Sequence, residues 1–389
     1  TIERLKTILS SDRLIFEIGA QETEELKEKY GDERRTEIIE SSGQDLVDED
    51  LIADEEMIVA ITHTGFVKRS SPTIYRSQRR GGKGVRGITT GDEDFVSSMF
   101  ITTSLSYLLC FTDKGRLHWL KVYKIPEGTK TSKGKAIVNL VNLDPHESIR
   151  AILPVREFRD DQFVIMVTKK GTIKKTELSQ FSNVRNQGII ALSIDEGDEL
   201  AAAKLSNGKQ HVFLCSKQGM SIRFDEDDVR SMGRGARGVR GMELDEGDII
   251  VGVEALDPAD KSSTILTVTD HGSGKRTELE EYRIQSRGGK GVITMKTTEK
   301  TGFVMGTKSV TNKDDLMIIT DKGQTIRIKV AEIRSMGRNT SGVRLINVNE
   351  AERVVGIEHL AETDEDDGDS NAVANGNGDA SNGQGESVH

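Results

Sequence analysis

The 389-residue sequence predicts an all-β fold, a propeller-like array of six blade-like units. Three observations carry the prediction. One pattern recurs six times at intervals of about fifty residues: an apolar strand, a tight turn ending in Gly, then a strand with basic residues. The turn glycines are Gly65, Gly115, Gly171, Gly219, Gly272 and Gly323. A second glycine follows in each copy, at Gly84, Gly134, Gly188, Gly238, Gly291 and Gly342, 19 residues on in five copies and 17 in the third. Repeats of roughly 40–50 residues with several short strands each mark a propeller-like architecture.

The elements follow in order. Residues 1–40 read as helical, with Leu5, Ile8, Leu9, Leu14, Ile15 and Ile18 near a helical period. So short a helical piece has too little apolar surface to stand alone and is expected to pack on something outside this chain. The first residue is Thr rather than Met, so the chain is expected to be a fragment of a longer protein. Residues 41–56 read as an acidic linker. Residues 57–360 hold the six copies, whose opening strands start at Met57, Tyr107, Phe163, His211, Thr264 and Asp315. These strands are runs of apolar and β-branched residues, as expected when both faces are buried. Glycine at the turn makes a positive φ inexpensive, which suits a short hairpin. Two short strands flanking the second glycine are expected to complete each four-stranded unit. No unit can bury its apolar face alone, so the units must stack, and ring closure removes exposed edges. Residues 361–389 are Asp, Glu, Asn, Gly and Ser with almost no large apolar side chain and are expected to be disordered.

The net charge of −10 hides an asymmetry. Residues 1–56 hold 7 Lys+Arg against 18 Asp+Glu, and residues 361–389 hold 8 Asp+Glu and no Lys or Arg, which leaves +9 on residues 57–360. A basic body between acidic flanks points to a polyanionic partner. There is no apolar run near the ~18 residues of a membrane span. The cysteines, Cys110 and Cys215, lie in apolar strands and read as buried small hydrophobes, not as a disulfide. The seven histidines lack ligand spacing, so no metal site is expected.

Within the copies the cations keep register. Three or four positions past the turn glycine stand Lys68 and Arg69, His118, Lys174 and Lys175, Arg223, Lys275 and Arg276, and Arg327. Four or one positions before the second glycine stand Arg80 and Lys83, Lys130 and Lys133, Arg234 and Arg237, Arg287 and Lys290, and Arg338, with Arg185 in the divergent third copy. Arg86 lies just beyond the first of these glycines. Equivalent places in a ring face equivalent directions, so these charges are expected to form a band around the body. The plain alternative is that Lys and Arg merely protect strand edges, which leaves the uniform sign at two registers unexplained.

Gln78, Arg79, Arg80, Gly81, Gly82, Lys83 and Gly84 form the sharpest local feature, where glycines allow close backbone approach to a phosphate chain and three cations neutralise it. An ordinary flexible basic loop has the same composition. Two other motifs mislead. Gly233 to Gly238 fits G-x-G-x-x-G, but a dinucleotide site needs a strand before it and a helix after it. Gly84 stands where a P-loop requires Ser or Thr. The aromatic residues of the first two copies, Trp119 among them, are expected in the core.

The heptad at Gln78–Gly84 resembles the hallmark box of the DNA gyrase A C-terminal domain family. The run Lys27–Ile38 resembles the segment leaving that family's breakage-reunion region, and Gln285–Gly291 resembles a partial second box. The resemblance implies a six-bladed β-pinwheel of four-stranded blades whose strands are exchanged between neighbours and whose basic perimeter wraps double-stranded DNA. It further implies an ATP-dependent type II topoisomerase holoenzyme, an A2B2 heterotetramer of two A and two B gyrase subunits, cytoplasmic and nucleoid-associated. The nucleophilic tyrosine belongs to the preceding region, and Tyr75 is not that residue. Mg2+ and ATP are expected on the gyrase B subunit, with no catalytic residue or cofactor in this chain. The acidic tail is expected to compete with DNA for the basic band. The neighbouring readings are the C-terminal domain of the topoisomerase IV A subunit, whose box is degenerate or absent, and a propeller for protein docking, which a basic body disfavours.

Overall fold

The computed structural model describes residues 2–32, 48–62, 64–71, 96–129, 132–183, 185, 187–322 and 324–360. The box at Gln78–Gly84, Arg86, Lys130, residues 41–47 of the linker and the tail lie outside the described residues. The chain divides into two compact units at residues 51 and 52. In the first, α1 (Ile2–Leu9) and α2 (Asp12–Tyr30) bury no residue within themselves. Phe16 is 78% exposed, so these helices carry an apolar face without a core.

The second unit is a six-bladed β-propeller of antiparallel sheets. Its first sheet joins β1 (Glu56–Thr62), β2 (Phe66–Ser70) and β3 (Val96–Thr103) to β6 (Lys135–Ala136), a strand of the second copy. The second joins β4 (Tyr107–Thr112), β5 (Arg116–Lys121) and β7 (Ile149–Val155) to β10 (Ile189–Ile190) of the third copy. The third holds β8 (Phe163–Thr168), β9 (Thr172–Glu177), β11 (Leu200–Ser206) and β14 (Val239–Arg240). The fourth holds β12 (His211–Ser216), β13 (Met220–Asp225), β15 (Ile250–Leu256) and β18 (Val292–Ile293). The fifth holds β16 (Thr264–Thr269), β17 (Ser273–Glu278), β19 (Val304–Val310) and β22 (Val343–Arg344). The sixth, among the described residues, has β20 (Asp315–Thr320), β21 (Thr325–Lys329) and β23 (Val354–Leu360).

This wiring corrects one expectation. The second glycine is not flanked by two strands of its own unit. A single two-residue strand follows it and pairs with the preceding copy's sheet, as Val239 does with Ile173 and Val292 with Ser221. The last strand of each copy lies further on and pairs with its own opening strand. Those last strands form the inner edges: β7 packs on β11, β11 on β15, β15 on β19, β19 on β23, and β23 on β3. The exchanged strands therefore lie on the outer edges.

The core sits between blades. Leu108 and Cys110 pack toward the first blade, whereas Leu109 and Phe111 pack toward the third. Val164 and Met166 likewise face the second blade while Ile165 and Val167 face the fourth. Alternate residues of one strand thus serve two cores, which explains why these strands read as continuous apolar runs. Cys110 and Cys215 are free and buried, and burial pushes the Cys110 thiol up to about 12. Each hairpin is locked by a hydroxyl: the side chains of Thr62, Thr112, Thr168, Ser216, Thr269 and Thr320 each accept from the backbone N–H four residues later. No described helix is long and apolar enough to cross a membrane.

Candidate nucleic-acid interface

The two cation registers occupy different environments. Lys68, Lys174 and Lys275, three residues past the turn glycine, are buried. Each ammonium reaches into the next copy's loop and donates to its backbone. Lys68 Nζ donates to the carbonyls of Thr129 (2.9 Å) and Ser132 (3.1 Å). Lys174 Nζ donates to those of Ala191 (2.7 Å) and Arg234. Lys275 Nζ donates to the carbonyls of Gly337 (2.6 Å) and Arg338 and to Thr340 Oγ1 (2.9 Å). Burial, with the charge of Arg234 or Arg338 beside them, pulls Lys174 and Lys275 down to about 8. His118 holds the same place in the second copy, also buried, and desolvation lowers its pKa.

One position further, a donor bonds a carbonyl of the next copy's 3-10 turn or of the residue that follows it. Arg69 Nε donates to Ile125 O (2.8 Å), Lys175 Nζ to Glu226 O (3.0 Å), Arg223 Nη1 to Leu279 O (2.7 Å) and Arg276 Nε to Ile333 O (2.7 Å). At Ile125 and Ile333, just past their turns, the cation satisfies a carbonyl that the turn leaves unpaired, whereas the Glu226 and Leu279 carbonyls also close their own turns by accepting from Val229 N and Tyr282 N. The second copy has Trp119 here, and its Nε1 donates to Phe181 O (2.9 Å). Trp119 is thus a cap as well as a core residue. The expectation of an outward band fails at this register. Lys68, Arg69, Lys174, Lys175, Arg223, Lys275 and Arg276 hold one blade's loop to the previous blade's sheet, because strand exchange roofs them over. Arg327 is the exception, exposed and paired with Asp315.

The other register does face outward. Lys133, Arg237 and Lys290 are exposed. Arg237 pairs with Asp195, and Lys290 with Asp245 at 2.8 Å. Such exposed pairs contribute about 0–1 kcal/mol, so a phosphate can displace the carboxylate. Arg234, Arg287 and Arg338 are half-buried. Arg287 Nε donates to Asp228 O (2.8 Å), and Arg338 Nη1 donates to Ile293 O (3.1 Å), so each is oriented by backbone carbonyls.

Five exposed arginines escaped the sequence reading. Arg230, Arg283 and Arg334 each follow the residue that caps the 3-10 turn, and Arg240 and Arg344 lie on exchanged strands. The signal was present: the first three stand eight residues before the second glycine and the other two stand two after it. Together the loops 229–240, 282–293 and 333–344 present ten Lys+Arg and no carboxylate on the outer edge. The axial edge is the opposite case. Lys204 pairs with Glu254 at 3.0 Å and Lys308 with Glu358 at 3.6 Å, and burial is the main cause that raises Glu358. Those charges neutralise one another.

The second glycine brings the loop in. Gly238 has φ 97 and Gly291 φ 78, and a Cβ would stand 2.6 Å from Ile173 O and 2.1 Å from Ser221 O respectively. Only glycine lets the loop backbone touch the neighbouring strand there. The G-x-G-x-x-G run ending at Gly238 is followed by β14 and no helix, so it is a propeller loop.

The family model described as DNA gyrase C-terminal domain, beta-propeller, matches residues 56–103, 106–156, 162–207, 210–257, 263–311 and 314–360. The chain is 45% identical over 358 residues to the DNA gyrase A subunit of Salmonella typhimurium, covering 92% of this chain and 40% of that protein. It is 41% identical over 368 residues to the DNA gyrase A subunit of Haloquadratum walsbyi, covering 94% and 43%. It therefore spans about two-fifths of the length of these relatives. A solved DNA gyrase A C-terminal domain superposes with TM-score 0.65 at 26% identity, covering 79% of this chain and all of that one (100%). The C-terminal domain of a DNA topoisomerase IV superposes equally well, with TM-score 0.68 at 27% identity, covering 80% and 94%. The fold alone does not separate these two readings, but the sequence relatives and the family model do. On six matched blades and these identities, the chain belongs to the DNA gyrase A C-terminal domain family.

Proposed function

We propose that this chain binds duplex DNA along its outer edge and bends it, as the wrapping domain of an ATP-dependent type II topoisomerase. The observation that carries the reading is the repeated, carboxylate-free cationic stretch on the exchanged-strand edge of three successive blades. Cations without base-reading geometry give sequence-tolerant affinity through phosphates. Bending 20–30 base pairs costs roughly 1–6 kcal/mol, which about ten phosphate contacts can offset. The box residues Gln78 to Gly84, with Arg86, Lys130 and Lys133, extend the same track on the family resemblance.

In the holoenzyme, the bent segment is presented to a cleavage gate, and strand passage turns the wrap into negative supercoils. The catalytic tyrosine lies outside this chain. The gyrase B subunit binds Mg2+ and ATP, and the assembly pairs two A with two B subunits in the cytoplasm. The chain itself acts without a cofactor. The test is ligation of nicked plasmid in the presence of the chain, followed by topoisomer analysis. A shift in linking number that scales with protein supports wrapping. It should vanish in Arg79→Ala/Arg80→Ala/Lys83→Ala. An unshifted distribution at saturating, low-salt binding contradicts it.

A further inference from the structure

The outer loops are not equivalent. The fourth, fifth and sixth carry three or four Lys or Arg each, whereas the third, Phe181 to Ile190, carries Arg185 alone. Ser182 follows the 3-10 turn where Arg230 stands in the next copy. Ile190, 59% exposed, occupies the exchanged-strand place of Arg240 and Arg344, which Ile293 fills in the fifth copy. The third loop is nonetheless docked like the others. Ile189 pairs with Leu117 and Ile190 with Arg116, Gly188 has φ 71, and Trp119 caps the turn. The docking at both ends is kept, in a loop two residues shorter that has lost most of its charge. The neighbouring Arg116 adds at most one half-buried cation, whose guanidinium is held by Asp144 and the Gln187 carbonyl, so the third loop still falls short of the three or four cations of its neighbours.

We infer that the duplex track is interrupted at the third loop: DNA held by loops four to six leaves the perimeter there. The inference rests on the DNA-binding reading above. A duplex is stiff over tens of base pairs and stays curved only while successive contacts hold it. A loop short of two or three cations removes that hold over one blade, and the duplex straightens away.

The test measures how affinity for a linear duplex depends on salt, together with the hydroxyl-radical footprint, using the whole chain. Ser182→Arg/Ile190→Arg places cations at two exposed positions. It should steepen the slope of log affinity against log salt by about 2 and lengthen the protected duplex. Arg185→Ala should leave Kd within about twofold, while Arg230→Ala/Arg240→Ala should weaken binding about tenfold or more at low salt. An unchanged slope and footprint in the double arginine variant overturn the interruption. So does an Arg185→Ala loss equal to that of Arg230→Ala/Arg240→Ala, a comparison that stands even if the double arginine variant misfolds. If no variant in either loop alters binding, the DNA reading itself has failed.

Discussion

Lys275 and Lys290 belong to one repeat and carry one charge, yet they do opposite work. Lys275 is buried and spends its three donors on Gly337, Arg338 and Thr340 of the next copy. Lys290 is exposed and pairs with Asp245. The first builds the loop on which the interface rests, and the second is part of the interface. The difference teaches that sequence register fixes equivalence but not exposure. What covers a position here is a loop from the neighbouring copy, which no single copy can reveal.

The largest effect should come from the backbone contact on which both registers depend. Gly291→Ala places a methyl 2.1 Å from Ser221 O at a positive φ, and should destabilise the propeller by about 3 kcal/mol in urea unfolding. Gly233→Ala, with nothing within 4 Å, is the control and should cost under about 1 kcal/mol. Next, Lys275→Met removes three hydrogen bonds from a buried ammonium, although Thr340 still donates to the Gly337 and Arg338 carbonyls, and should cost about 2 kcal/mol. Lys290→Ala should stay within about 0.5 kcal/mol of the parent. Equal costs for the two lysines would erase the distinction between the registers.

A smaller effect depends on pH. Lys174 and Lys275 titrate at about 8 in the fold because burial disfavours their ammonium forms, against about 10.4 in an unfolded chain. Below the folded value both states are protonated, and the fold carries the full desolvation cost. Between the two values the unfolded chain holds more protons, so this cost is relieved as pH rises. The parent should therefore gain stability relative to Lys174→Met/Lys275→Met from pH 8 to pH 10, as read by unfolding midpoints. A flat difference would mean that these ammonium groups are better solvated than their burial implies.

Much of the fold was legible because its two glycines are irreplaceable. The hairpin needs one positive φ and the docked loop needs another beside a neighbour's carbonyl, and that double requirement leaves a fixed offset in the sequence. Strand exchange was not legible from the residues, since two-residue strands such as Val239–Arg240 carry almost no propensity signal; it came from the family resemblance. The interface was half legible. Arg237 and Lys290 were placed correctly on the outside, whereas Lys174 and Lys275 read as the same kind of charge. Arg230, Arg283 and Arg334 went unnoticed because they stand a full turn of the loop away from the glycine that marks the repeat. The hydroxyls at strand ends, Thr62 through Thr320, were equally regular and equally overlooked.

The most direct test of the division between scaffold and interface is the salt dependence of duplex binding by Arg230→Ala/Arg283→Ala/Arg334→Ala. Removing three outer phosphate contacts should flatten the slope of log affinity against log salt by about 2.7, with the urea midpoint unchanged. A slope equal to the parent's, or a loss of stability in its place, would contradict the account.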